Sequence, residues 1–157
     1  MPMSQRISKP VLLSSLVGVG VLGSVAVGGL AAATGKDGTE PSLTHATARY
    51  TAPSGHGAGS LTFTADVSDD SAVRGVRVLP WPADSKLDPK ESELRHAERA
   101  KCRSVSAGTS RCTYTLKVTE KEAAESAPGQ WYVAARAVTE DGGTVHEPRA
   151  AAFDITR

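Results

Sequence analysis

Residues 60–67, Ser-Leu-Thr-Phe-Thr-Ala-Asp-Val, alternate without a break: Leu61, Phe63, Ala65 and Val67 fall on one side, Ser60, Thr62, Thr64 and Asp66 on the other. Successive side chains of a strand point to opposite faces, so this period of two predicts a half-buried β-strand. Ser68-Asp69-Asp70-Ser71 then reads as an acidic turn, and a second strand follows in which Val76, Val78 and Pro80 alternate with Arg77, Leu79 and Trp81. Pro80 and Pro82 bracket the tryptophan and are expected to stop that strand from pairing further, since proline has no N–H to give to a ladder. The remaining segments can be placed relative to this pair.

Residues 46–51 predict a first strand with Ala48 and Tyr50 inward, and the glycine-rich stretch 53–59 predicts a loop. Between 84 and 100 the pattern changes. Asp88 is a candidate N-cap, Pro89 suits the first helical position, and Glu91 stands where a capping-box carboxylate would. Leu94 and Ala97 give this helix a thin apolar stripe, which places it across one sheet edge. Cys102 and Cys112 lie symmetrically about Ala107, and a turn at Ser106-Ala107-Gly108 sets them opposite each other, with Gly108 free to take positive φ. Cys112, Tyr114, Leu116 and Val118 share one face of the next strand. Thr119 and Glu122 form a second capping-box pattern, closed by Pro128-Gly129. Trp131, Val133, Ala135 and Ala137 alternate with Tyr132, Ala134 and Arg136; Glu140-Asp141-Gly142-Gly143 signals a hairpin; Ala151, Phe153 and Ile155 carry the return strand. About seven short strands at this spacing, with one or two short helices in the connections, predict an all-β antiparallel sandwich over residues 46–157.

The N-terminus reads as an address. Arg6 and Lys9 precede a long apolar run over residues 11–30, and Ala31-Ala32-Ala33 supplies small residues for cleavage after Ala33. Residues 1–33 are therefore expected to be a secretory signal and residues 34–45 a flexible lead-in. The rival is an uncleaved membrane anchor, since ~20 apolar residues span a bilayer. Without residues 1–33 the 18 basic residues become 16 against 17 acidic ones, a formal charge of −1. Lys and Arg are spread along the chain without a basic stripe, so nucleic acid is not an expected partner, nor is a membrane once the signal is removed.

Residues 61–78, with their strand–Asp-Asp-Ser–Val–strand pattern, resemble bacterial immunoglobulin-like modules. So does Gly129-Gln130-Trp131 leading through the next strand to Asp141-Gly142. The chain as a whole is similar to a family of small secreted actinobacterial proteins of unknown function. That resemblance covers most of residues 46–157 and implies an immunoglobulin-like sandwich outside the cell, with no active-site residues to carry over. It departs from antibody-type domains in its cysteines, which stand too close in sequence to bridge two sheets.

Several constellations bear on chemistry. Cys102 and Cys112, in an exported chain, are expected to form one structural disulfide, and the C-x-x-C spacing of a redox pair is missing. Asp69, Asp70, Glu140 and Asp141 lie in two acidic turns that emerge at one end of a sandwich if their strands are neighbours. They are the candidates for a calcium site, against the plainer reading that tight turns favour Asp and Gly. His45, His56, His96 and His146 lack zinc-ligand spacing and read as solvated surface residues. Trp81, on the face opposite Val76 and Val78, either anchors a partner or a sugar ring or is covered by the helix after it. No nucleophile elbow occurs, and no catalytic residue or cofactor is indicated.

The chain therefore reads as a secreted, non-catalytic module that interacts with an extracellular protein or a cell-wall component. One alternative is a secreted protease inhibitor presenting residues 79–87, from Leu79 to Leu87, or the disulfide-closed loop 103–111, from Arg103 to Arg111. The other is a small hydrolase, which needs a pocket with convergent titratable groups.

Overall fold

The alternation is realised in two four-stranded sheets. A computed structural model describes residues 39–156; the segment 1–33, expected to be a secretory signal, and the first part of the expected lead-in lie outside the described residues. In chain order the elements are β1 (Ser42–Thr51), β2 (Gly59–Ser68), β3 (Val73–Pro82), α1 (Glu91–Leu94), β4 (Glu98–Arg99), β5 (Lys101–Ser106), β6 (Thr109–Val118), α2 (Glu120–Glu125), β7 (Gly129–Thr139) and β8 (Thr144–Ile155). One sheet is ordered β1-β2-β6-β5 and the other β4-β3-β7-β8. All the paired strands are antiparallel. The result is the expected all-β sandwich with two short helices, with β4, a two-residue strand, as the eighth.

The core lies between the inner faces. Leu61, Phe63, Ala65 and Val67 of β2 meet Val76 and Val78 of β3, Cys112 and Tyr114 of β6, and Val133, Ala135 and Ala137 of β7, with Phe153 and Ile155 of β8 closing one end. Each of the larger side chains contributes about 1.5–3 kcal/mol when fully buried. At the closed end Phe153 stacks between Tyr50 and Trp131, with ring centroids 6.2 and 6.1 Å away. Burial of the Tyr114 phenol raises its pKa above the ordinary value.

Several boundaries differ from expectation, each for a local reason. β1 starts at Ser42, not at residue 46, and Pro41 is already buried, so the flexible lead-in does not extend to residue 45. A register shift between Thr44 and Thr47 breaks the period of two there, with His45 at φ 51°. Pro80 and Pro82 do not end pairing with β7: they stand opposite Val133 and Trp131. The Val76 carbonyl accepts from Ala100 N–H on the β4 side, and alternate residues face the same edge. The prolines therefore leave donors missing along the β4 edge only, where pairing stops at Val78.

α1 is capped by Lys90 rather than Asp88, and it is Glu93, not Glu91, whose carboxylate accepts the cap N–H, at 2.7 Å. It packs on the face of β3 and β7 rather than across an edge, with Leu94 fully buried. Leu116 does not share the burial of Cys112 and Tyr114; it is 42% exposed. The second capping box holds: Glu122 Oε2 accepts from Thr119 N–H and Oγ1, both at 2.8 Å. The Ser106–Gly108 turn also holds, with Gly108 at φ 73°, and Cys102 and Cys112 form the disulfide across directly paired positions of β5 and β6.

Candidate functional site

The outer face of the second sheet is built from the alternate residues that the core does not use. Gly75, Arg77, Leu79 and Trp81 of β3 stand in register with Val138, Arg136, Ala134 and Tyr132 of β7. This pattern divides the face into an apolar half and a basic half.

α1 covers the apolar half. Trp81, Leu94 and Ala134 are buried together, with Leu79, Ala97 and Tyr132 packed around them. Trp81 is 2% exposed, its ring lies 5.1 Å from that of Tyr132, and its Nε1–H donates to the Pro148 carbonyl at 2.9 Å. The Arg149 guanidinium caps both rings, 5.8 and 5.1 Å from their centroids. This overturns Trp81 as an exposed anchor: Leu94 occupies the space a partner or sugar ring would need.

The basic half is covered only in part: the Arg136 side chain is 12% exposed, while Arg74, Arg95 and Arg99 are exposed. Arg77 is paired with Arg99 of β4 on one side and with Arg136 of β7 on the other, and Arg136 is in turn paired with His146 of β8. One row thus crosses all four strands with four basic side chains. Arg74 and Arg95, the latter at the C-cap of α1, join it to form a cleft of about 210 Å³ lined by Arg74, Gly75, Arg77, Arg95, Arg99, Arg136 and Val138. Like charges directly opposite each other on a sheet are destabilising, so this row works against the fold unless something offsets it.

Little inside the protein does. Arg136 Nε donates to Glu91 Oε1 at 2.9 Å. That hydrogen bond is the main reason the Glu91 carboxyl titrates below the ordinary glutamate value; burial opposes it, while the Thr144 hydroxyl and His146 help it. Arg74 pairs with Glu140 at 3.4 Å across exposed side chains. Arg77 gives Nη1–H to the Ala97 carbonyl at 2.7 Å, a neutral acceptor. Among the described residues, no ion pair reaches Arg77, Arg95 or Arg99. Gly75 supports the arrangement from below: a Cβ there would lie 3.1 Å from Arg99 Nη2, so the glycine gives the guanidinium room to lie against the sheet.

The other sequence candidates fall elsewhere. The two acidic turns do meet, since Glu140 N–H donates to the Ala72 carbonyl at 2.8 Å. Their carboxylates, however, are turned to local partners, except that the buried Asp69 Oδ2 has none. Asp69 Oδ1 accepts from Ser71 N–H and Oγ, Asp141 Oδ1 accepts from Thr139 Oγ1 and Gly143 N–H, Asp70 accepts from Thr39 and Glu140 pairs with Arg74. No group of three or more His, Cys, Asp or Glu among the described residues is arranged to hold a metal ion.

The four histidines divide. His56 and His96 are exposed. His45 reaches Asp66 at 3.3 Å, where Arg111 also holds the carboxylate through two hydrogen bonds and is the first cause of its lowered pKa. His146 is not a solvated surface residue, because its Nε2 is buried without a hydrogen-bond partner beside the arginine row. Of the two proposed inhibitor segments, 79–87 is part strand and part loop, ending in the exposed Leu87. The first four residues of 79–87 belong to β3, and 103–111 is a paired hairpin whose Gly108 carbonyl accepts from Asp69 N–H.

Residues 43–137 match a family of unknown function, DUF5707. The chain belongs to this family. A comparison with curated proteins finds no match. The DUF5707 span contains all five cleft arginines and Glu91, and it ends before β8 and His146. Alternation put Arg77 and Arg136 on outer faces of their strands in this DUF5707 chain. What it could not supply was the register that brings them, with Arg99, into one row.

Proposed function

We propose that this protein is a secreted, non-catalytic, immunoglobulin-like module that binds an extracellular partner through an anionic group seated in the arginine cleft. The observation that carries this reading is the row Arg99–Arg77–Arg136, in which, among the described residues, Glu91 is the only carboxylate paired with any of the three. A charge array that opposes folding, with Arg136 largely buried and paired with Glu91 but Arg99 exposed, makes sense as a site whose remaining counter-charge arrives from outside. The strand order supports the immunoglobulin-like reading: β1-β2-β6-β5 corresponds to strands A, B, E and D of such domains, and β3-β7-β8 to C, F and G, with β4 added at the edge. The disulfide and the N-terminal apolar run support export.

The test is retention on a polyanionic resin at low salt. The formal charge of residues 34–157 is −1, with 16 basic and 17 acidic side chains, so bulk charge alone gives no retention. Retention by the native protein and its loss in Arg77→Ala/Arg99→Ala supports the reading. Retention that survives this pair and disappears with Lys101→Ala/Arg103→Ala on the β5 hairpin contradicts it. For export, the mass of the protein recovered from culture medium is expected to begin at Thr34.

A further inference from the structure

Resting on the anion-binding reading, we propose that the cleft is a site for a phosphate group in its doubly charged state, either free orthophosphate or a phosphomonoester. Three features of the lining select this chemistry over a carboxylate or a phosphodiester.

The first is charge. Five arginines line the cleft, and Glu91 and Glu140 are the carboxylates paired with them. The excess of positive charge exceeds what one carboxylate or one phosphodiester can neutralise. A phosphate carrying roughly −1.5 to −2 near neutral pH matches it better.

The second is geometry. The arginines stand on four elements: Arg74 and Arg77 on β3, Arg99 on β4, Arg136 on β7, and Arg95 at the end of α1. Donors supplied by several elements around one cleft fit a tetrahedral group with three acceptor oxygens, whereas a planar carboxylate with two is served by a single guanidinium fork. Asp66 is an example inside the protein, both its oxygens being held by Arg111 alone, at 2.8 and 3.1 Å; in the cleft, Glu91 engages Arg136 and no ion pair reaches Arg77, Arg95 or Arg99 among the described residues.

The third is size and lining. At about 210 Å³ the cleft is smaller than the ~300–1,000 Å³ pockets that enclose whole drug-sized ligands, so it takes a group and not a ring system. Val138 is its only large apolar wall, and no aromatic side chain lines it. A base or sugar attached to the phosphate would therefore remain outside and ungripped.

The experiment is isothermal titration calorimetry on the purified full chain at low ionic strength and pH 7.5, with orthophosphate, glycerol 1-phosphate, dimethyl phosphate and acetate as separate titrants. Orthophosphate or glycerol 1-phosphate is expected to bind at least about tenfold more tightly than acetate and dimethyl phosphate, in line with its second charge. Whichever of the two binds better identifies the source, free or esterified. Arg99→Ala and Arg95→Ala, both at exposed positions, are expected to weaken phosphate binding about fivefold or more without lowering the thermal midpoint, which Arg99→Ala should raise if anything by relieving the repulsion on Arg77. Equal binding of acetate and orthophosphate overturns the phosphate assignment and leaves the anion-binding reading standing. Dimethyl phosphate binding as tightly as glycerol 1-phosphate overturns the requirement for two charges. Failure of all four titrants overturns both readings.

Discussion

Arg77 and Arg136 stand directly opposite each other on β3 and β7, and Glu91 pairs with Arg136 alone. Removing that carboxylate leaves Arg136 unpaired between Arg77 and His146. Glu91→Gln is therefore expected to lower stability while tightening the binding of added anions, because a competing internal anion has gone. A urea titration and a phosphate titration of the same variant check both signs. A loss of stability with weaker phosphate binding contradicts the account of Glu91 as the internal counter-charge.

The same pair sets a pH dependence. The Glu91 carboxyl is held below its ordinary value of 4.5, first by Arg136, and that of Asp66 below 3.8, first by Arg111. A depressed folded-state pKa contributes stability that is fully present above the unfolded value and is lost as pH falls through the folded one. Unfolding free energy is thus expected to hold from neutral pH down to about pH 5 and to fall below it. Glu91→Gln removes part of that fall, which urea midpoints measured at several pH values between neutral and strongly acid would reveal.

Leu94 is fully buried against Trp81 and Ala134. Leu94→Ala is expected to cost about 2–5 kcal/mol and to loosen α1, since a four-residue helix has little else to hold it. Trp81 fluorescence should shift to longer wavelength and become open to quenching. An unchanged spectrum would mean that Leu94 is not what covers the ring.

Two glycines separate stability from site geometry. A Cβ at Gly59 would lie 2.2 Å from the Thr51 backbone oxygen, so Gly59→Ala is expected to destabilise by ~2 kcal/mol or more through a clash that no side chain can relieve. At Gly75 the atom met is the end of the flexible Arg99 side chain at 3.1 Å. Gly75→Ala should leave thermal stability close to native and weaken anion binding by displacing that guanidinium.

Replacing Cys102 and Cys112 together by Ala opens a loop of sequence separation 10 and is expected to cost roughly 3 kcal/mol. Cys112 is buried and Cys102 is exposed on the edge strand β5. Hydrogen exchange should therefore increase first along β5, with β2 and β7 keeping their protection.

The sandwich was legible because β2, β3, β6 and β7 keep a period of two, and the α2 cap because Thr119 and Glu122 are neighbours in sequence. The start of β1 was hidden by the irregularity at His45, which breaks the period where the strand begins. Trp81 could be assigned to an outer face but not to burial, which depends on where Leu94 comes to rest. The cleft was the least legible feature. Arg77, Arg99 and Arg136 are scattered along a chain of near-zero net charge, and only the pairing of β3 with both β4 and β7 turns them into a row.

The most direct test of the cleft is a titration of the full chain with inorganic phosphate, followed through the Nε–Hε NMR signals of its arginines. The signals of Arg77, Arg95, Arg99 and Arg136 are expected to move together and saturate, while those of Arg49, Arg103 and Arg149 stay in place. Uniform drift of all arginine signals without saturation, or saturation confined to arginines outside the cleft, would contradict the account.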